Sequence, residues 1–402
     1  MTCIIIGAGA AGFFSAIQHK STHPKDEVII IEKSKEVLAK VKISGGGRCN
    51  VTHACFEPRD LIANYPRGAK ALLGPFHQFQ PRDTVDWFQS RGVPLKTEAD
   101  GRMFPVSDSS QSIVDCLMKE AEKLGVKLWT ECAVKKIEKD SDGRFTLELA
   151  NGQSHGCEKV ILATGSSRSG YDFARSLGHT IVDPVPSLFT FAIKDSDLHA
   201  LSGLSVAKAT AWIHKKQPQT GPLLITHWGL SGPAIIKLSA WHARDLFEQK
   251  YQMPVTINCL ADWSLSDLEQ RVQECRQAQP KKQISQKSPF TEIPGRLWAY
   301  FLGRSGISPS QIWHDLSAKQ VARLLGELRQ GRFEISGKGV FKEEFVTCGG
   351  VALDEIDFKA MESKVCNGLH IVGELLDIDG VTGGFNFQNA WTTGFLAGVA
   401  NV

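Results

Sequence analysis

The most constraining feature lies at the start of the chain. A short apolar run, Cys3 to Ile6, opens directly into Gly7-Ala8-Gly9-Ala10-Ala11-Gly12 and then into the helix-compatible stretch Phe13 to Lys20. A buried strand feeding a GxGxxG turn and a helix is what a dinucleotide-binding α/β domain requires. The first glycine permits the tight turn, the second lets a pyrophosphate approach the backbone, and the third lets helix pack on strand. Phosphate then sits on the helix N-terminus beside Ala10 and Ala11, where backbone N–H groups lack partners. A second apolar run, Val28 to Ile31, ends in Glu32, twenty residues beyond Gly12. A carboxylate there accepts hydrogen bonds from a ribose diol and disfavours a 2′-phosphate, which points to FAD or NAD rather than NADP at this turn. Lys33 belongs to the same end of the site.

At 402 residues the chain exceeds the roughly 250–300 at which one core stops growing, so two domains are expected. Hydrophobic residues at 42% and charged residues at 22% exclude a disordered chain. A net charge of +3 is too small to imply a polyanion partner for the whole chain. Its distribution is uneven: Leu188 to Phe341 carries 19 Lys and Arg against 12 Asp and Glu, leaving the flanks acidic. Solvated lysines or an anionic partner such as RNA both account for that excess. Ten cysteines without a CxxC pair fit neither a disulfide framework nor a zinc site, so reduced thiols, a cytoplasmic location and no metal are expected. The apolar stretch Ile4 to Ile17 lacks a basic leader and is broken by glycines, and no run of about twenty apolar residues occurs elsewhere, so no membrane association is expected.

A second glycine cluster narrows the cofactor. Lys42-Ile43-Ser44-Gly45-Gly46-Gly47-Arg48-Cys49-Asn50 sets three glycines between cations and small polar residues, and such a loop can lie flat against a ligand. Arg48 or Lys42 can pair with phosphate or stabilise negative charge on a reduced ring. This segment, together with Gly373 to Gln388, resembles the BaiN-like flavoproteins, also called the aminoacetone oxidase group, of the two-dinucleotide-binding-domain flavoprotein superfamily. The resemblance covers essentially the whole chain and implies FAD as cofactor.

Downstream, Cys132 to Glu138 and Phe145 to Leu149, with a turn at Asn151-Gly152, predict a β-meander, and the resemblance places adenine near Val134. Lys159 to Leu162 reads as a buried parallel strand, and Ala163-Thr164-Gly165 resembles the superfamily segment that passes close to the flavin or its diphosphate. The loop Gly101 to Asp108 either packs on the cofactor domain or contacts substrate. From Ser187 the pattern changes to short alternating strands, then to helices over Leu265 to Arg276 and Pro309 to Arg329. Thr226-His227-Trp228-Gly229-Leu230-Ser231-Gly232-Pro233 matches a family segment. A histidine can exchange protons near neutral pH, so His227 is read as an acid/base candidate or as a hydrogen-bonded residue fixing a domain junction. Lys215, Lys216, Lys281, Lys282 and Lys287 lie in apparent loops, with Trp228, Trp241 and Trp298 available for stacking or for the core.

The C-terminal part returns to the cofactor pattern. The strand Leu369 to Ile371 runs into Gly373-Glu374, and Asp379 precedes Gly383-Gly384-Phe385-Asn386-Phe387-Gln388, with a final helix expected near Asn389. Paired glycines before a helix make a second phosphate- or ring-binding terminus. The resemblance aims this helix at the pyrimidine end of the flavin, where it stabilises the anionic reduced ring. Arg48, Asn386 and Gln388 are the expected ring contacts, with Arg48, His227 and Gln388 the catalytic candidates.

The fold expected is α/β: a discontinuous Rossmann-like FAD-binding domain (residues 1–187 and 342–402) with an inserted β-barrel plus helical domain (188–341). The activity expected is FAD-dependent oxidoreduction. No second GxGxxG is present, so NAD(P)H is expected to bind only transiently as reductant. The resemblance divides the substrate among carbon–carbon double bonds of steroids or enones, amines, and uridines of ribosomal RNA converted to dihydrouridine; the basic middle tilts towards RNA. A flavin-bearing interaction protein without catalysis is the remaining alternative.

Overall fold

The computed structural model describes residues 1–339 and 346–401. In their described parts, Met1–Val185 with Val346–Val402 form one compact unit and Pro186–Phe345 another. The first seam follows Val185, two residues before the expected position; the expected boundary at 341/342 lies outside the described residues.

The first unit is built on β1 (Thr2–Ile6), α1 (Ala10–Thr22), β2 (Glu27–Ile31), α2 (Ala39–Gly47), β3 (Lys127–Trp129) and β4 (Lys159–Leu162). Its completion comes after the insertion, as β5 (Leu369–Ile371) and α3 (Phe385–Val399). The parallel part of the sheet runs β5-β4-β1-β2-β3, with the short antiparallel strands Ile356–Asp357 and Glu362–Ser363 beyond β5. Register places Ile6 beside Ile31 and Leu162, and Leu162 beside Ile371, so four strand ends line up on one edge. A parallel sheet is covered on both faces, which is why these strands are continuous apolar runs instead of alternating ones. Ile4 to Ile6, Ile29 to Ile31 and Val160 to Leu162 are buried, each such side chain contributing about 1.5–3 kcal/mol relative to exposure.

Two glycines bring α1 and α3 close together. A Cβ on Gly394 would stand 2.9 Å from the Ala11 carbonyl oxygen, and one on Gly398 would stand 2.8 Å from that of Ser15. The far end of α3 is capped from the sheet: the buried Lys159 ammonium donates to the carbonyls of Ala397 (2.9 Å) and Ala400 (2.8 Å), where a cation complements the helix C-terminus. Val134–Lys139, Phe145–Leu149 and Ser154–Cys157 form the expected antiparallel meander, turning at Asn151-Gly152.

In the second unit a closed barrel runs in the order Phe191–Ile193, Gly229–Ser231, Lys216–Thr226, Ser205–Ile213, Met253–Asn258 and Gly331–Lys338. Helices Leu265–Ala278, Gly295–Arg304 and Ala318–Gln330 accompany it, and their apolar faces join the barrel core around Trp298, Phe301 and Leu324. The helix expected from Pro309 starts only at Ala318. Ser317 caps it, accepting from the Gln320 backbone at 3.2 Å while the Gln320 side chain accepts from the Ser317 backbone at 3.0 Å; this reciprocal cap fixes the start. Trp298 is fully buried and donates to Ile284, so it belongs to the core and offers no stacking surface. Among the described residues no helix is long and apolar enough to cross a membrane.

Candidate functional site

The aligned ends of β1, β2, β4 and β5 carry the glycine turns picked out from sequence, at the edge where open α/β sheets bind ligands. Gly7 has φ +107° and donates to the Ile31 carbonyl at 2.8 Å. Its missing side chain is a packing necessity, because a Cβ there would stand 2.5 Å from the Ala163 carbonyl oxygen, and one on Gly12 would stand 2.0 Å from that of Gly7. Gly9 differs: nothing lies within 4 Å of its Cβ position. It is also the N-cap of α1, no side chain caps that helix, and its first turn holds no acid. The first-turn N–H groups, including those of Ala10 and Ala11, therefore face the opening at Gly9 with no side chain capping them.

Glu32 closes one side of this opening. One carboxylate oxygen accepts from the Ala8 backbone at 3.0 Å, the other from the Ser34 backbone and hydroxyl at 3.0 and 2.9 Å. Lys33 is exposed, its ammonium 3.5 Å from the Ser167 hydroxyl. Beyond β4, the Thr164 hydroxyl oxygen is buried without a hydrogen-bond partner among the described residues, and Gly165 follows with φ +58°. Val134 begins the meander, opposite Leu149.

The Lys42 to Asn50 segment is not one open loop. Lys42 lies in α2, which breaks at Ser44 (ψ 152°), and Gly45, Gly46 and Gly47 then take left-handed φ values of 57°, 69° and 83°. A side chain at Gly45 would meet the Phe104 ring, whereas Gly46 and Gly47 face open space. Arg48 departs from its expected role as a charge offered to phosphate or ring. Its guanidinium pairs with Glu98 at 2.6 Å and Asp108 at 3.5 Å and lies 4.0 Å above the Phe104 ring. The Gly101 to Asp108 segment thus supplies two of the groups that hold Arg48, Phe104 and Asp108, and Glu98 just before it supplies the third. Asn50, in the amide orientation that satisfies both ends, donates to the Thr52 carbonyl at 3.0 Å and accepts from the Gly384 N–H at 2.9 Å, joining the two glycine turns.

At the second turn α3 begins at Phe385, four residues before the expected start, because Gly384 is its left-handed N-cap at φ +93°. Gly383 precedes it at φ +135°, and the Phe385 ring stacks on His53 at 4.7 Å. Gly373 donates to the Thr393 hydroxyl at 2.9 Å, and Glu374 joins the Thr347 N–H at 3.1 Å to the Lys40 ammonium at 2.5 Å. Both amides expected at the ring are engaged within the protein. Gln388 is fully buried, its oxygen accepting from Thr52 (2.6 Å) and Thr84 (2.9 Å) and its nitrogen donating to Thr392 (3.0 Å); it is a strut of the core, not a ring contact. Asn386 spends both ends of its amide on Gly380, at 2.8 Å each. Asp379, also fully buried, is held by Nε and Nη2 of Arg67.

His227 belongs to the second unit, exposed at the turn between Lys216–Thr226 and Gly229–Ser231, with its ring edge-on to Trp228 at 4.4 Å. Sequence reasoning missed Arg67, Thr52, Thr84, Thr392 and Glu98. Each acts on a residue far along the chain or through a side chain of ordinary type, so no local pattern announces it.

A family model described as HI0933-like protein Rossmann domain matches residues 1–400. The chain belongs to the HI0933-like family. Curated relatives of this HI0933-like chain include the ribosomal RNA dihydrouridine synthase of Escherichia coli (strain K12), 33% identical with 97% of this chain and 95% of the relative covered. The 3-dehydro-bile acid delta(4,6)-reductase of Clostridium scindens is 30% identical with 98% of both chains covered. Among solved structures, the 3-ketosteroid-delta4-(5alpha)-dehydrogenase of Rhodococcus jostii RHA1 matches at a TM-score of 0.51 and 14% identity, covering 98% of this chain and 96% of that one, a likeness of fold. This HI0933-like protein is an FAD-dependent oxidoreductase. Its residues fit FAD: the open face of Gly9, the uncapped α1, the orphaned Thr164 hydroxyl and the bare Gly46-Gly47 surface all leave room and polar groups for a ligand.

Proposed function

We propose that this flavoenzyme reduces the carbon–carbon double bond of uracil in ribosomal RNA to dihydrouracil, using NAD(P)H as a transient reductant. The observation that carries this reading is the 33% identity, over nearly the full length of both chains, to the E. coli ribosomal RNA dihydrouridine synthase. A second synthase of that name, from Haemophilus influenzae, is 28% identical over 99% of this chain. The charge of the inserted unit supports it: Lys215, Lys216, Lys281, Lys282 and Lys287 are exposed, and cations in that setting neutralise phosphates.

FAD supplies hydride chemistry when bound. The protein orients and insulates it. In this reading the first-turn N–H groups of α1 hold the diphosphate, Glu32 the ribose, Val134 and the Ala163-Thr164-Gly165 turn the flanking portions, and the turns at Gly45–Gly47 and Gly383–Phe385 the ring. The α3 N-terminus places its positive end towards developing negative charge. A base inside a helix is out of reach, so the RNA has to present its uracil unstacked. His227 is assigned as the proton donor.

The test is anaerobic absorbance of the purified holoprotein with NADH or NADPH, followed by unmodified ribosomal RNA. Bleaching by nicotinamide and recovery on adding RNA, with dihydrouridine in the digested product, is the expected result. The 30% identity to the bile acid reductase favours a second reading, reduction of a small enone. Recovery with enones and none with RNA would establish that instead, and loss of recovery in His227→Ala with bleaching intact would support its role.

A further inference from the structure

We propose that His19, His23 and Asp26 form a site for a single divalent transition metal of the zinc class, which staples the far end of α1 to β2 and α3. One donor atom from each residue lies within 4.8 Å of the others. His19 and His23 are one helical turn apart at the end of α1, and their rings stack at 4.6 Å. Asp26 follows on the connection into β2.

The hydrogen bonds fix the tautomers. His19 is fully buried, and its Nδ1 faces the Gly398 carbonyl at 3.1 Å, which accepts only, so Nδ1 carries the proton. That leaves the lone pair on Nε2, which faces an Asp26 carboxylate oxygen at 3.1 Å. Two acceptors then point at each other unless a cation lies between them. His23 repeats the pattern: Nε2 faces the Asn401 side-chain oxygen at 3.1 Å, and Nδ1 is buried with no partner among the described residues. Each ring thus has one nitrogen set against an acceptor and the other left to ligate, as in metal-ligating histidines. The 3.1 Å between His19 and Asp26 already matches the roughly 3.3 Å separation of ligands on a tetrahedral zinc with arms of about 2.0–2.1 Å. Two imidazoles, a carboxylate and a water suit that ion. Asp26, whose other carboxylate oxygen lies 3.4 Å from the Met1 amino group, partly offsets the positive field of Lys159, whose ammonium is already engaged by two carbonyls.

The site lies about 20 Å from Gly9, at the other end of a helix of 13 residues, so its role is mechanical. The holoprotein, stripped with a chelator and dialysed, is titrated with Zn²⁺ against a chromophoric competitor, with metal content and Tm read in parallel. The expected result is one equivalent per chain, a Tm higher by a few degrees with saturating Zn²⁺, and an unchanged rate of flavin reduction. His23→Gln, which keeps a polar side chain, should bind roughly tenfold more weakly or worse and lose the Tm response while retaining flavin. Asp26→Asn serves as the second variant if His23→Gln does not fold. Absence of stoichiometric uptake at micromolar Zn²⁺, or uptake by both variants equal to that of the parent chain, overturns the proposal.

Discussion

The two helix N-termini at the edge of the sheet resemble each other in glycine content and differ in what surrounds them. At α1 the opening is lined by Gly9, Ala10 and Ala11, and no side chain competes for the first-turn N–H groups. At α3 the glycines are followed by two amides, both consumed internally: Asn386 by Gly380, Gln388 by Thr52, Thr84 and Thr392. Neither helix has a side-chain cap, so the difference lies in the polar side chains that follow the glycines, which at α3 are spent within the protein. Residues that look most chemical by type are the ones that hold the backbone still.

The largest expected effect tests the α3 side. Arg67→Met leaves the Asp379 carboxylate buried without its cation, which costs about 3–5 kcal/mol and lowers the denaturation midpoint of apo and holo protein alike. An unchanged midpoint with weakened flavin binding would break the contrast. Next, Gln388→Leu removes the acceptor of the Thr52 and Thr84 hydroxyls, leaving Thr52 buried without it, and should cost about 1–3 kcal/mol while the flavin of the folded fraction is reduced at the parent rate. Stability as in the parent with slow reduction would return Gln388 to the ring. On the α1 side, Gly9→Val should leave stability within about 0.5 kcal/mol and weaken FAD about tenfold, or 1.4 kcal/mol, by equilibrium dialysis; a fallen Tm in the apo form would show that Gly9 too is structural.

The smallest effect is graded with acid. Burial first, then the Lys159 charge, holds the His370 pKa down at about 3, and burial lowers that of His179 against the pull of Glu355. Both are thus depressed below the unfolded value of about 6.5. The unfolded chain takes up protons first, so stability is full above that value and falls as pH drops from 6.5 towards 3. His370 alone contributes about 1 kcal/mol of loss by pH 5.5, measurable as a falling denaturation midpoint. A midpoint flat between pH 7.5 and 5 would refute the burial argument.

What was legible in the sequence was local. The β1 turn, β2 and Glu32 lie within 32 residues, and their apolar runs and glycine spacing carry their own meaning. The insertion was legible because the cofactor pattern resumes near Leu369. Three barrel strands were not: Gly229–Ser231 lies in a run of turn-forming residues, Met253–Asn258 contains Pro254, which weakens a strand reading, and Gly331–Lys338 follows directly on a helix. At the site, Arg48 and Gln388 were legible as residue types but not as bonded groups. Their partners are fixed by tertiary packing, Gln388 meeting Thr52 across 336 positions and Asp379 meeting Arg67 across 312. The His19, His23 and Asp26 cluster escaped because one ligand lies past the helix end.

The pairing of β4 with β5 also has a consequence in time. The strand next to β4, the two short strands beyond it and the helix that covers α1 are encoded only after the barrel has been made. On the ribosome, the inserted unit has all its strands in hand while the cofactor unit is held as an open half-sheet with an exposed edge. A chain stalled before Leu369 would carry a finished barrel beside a half-sheet primed to pair with a neighbour.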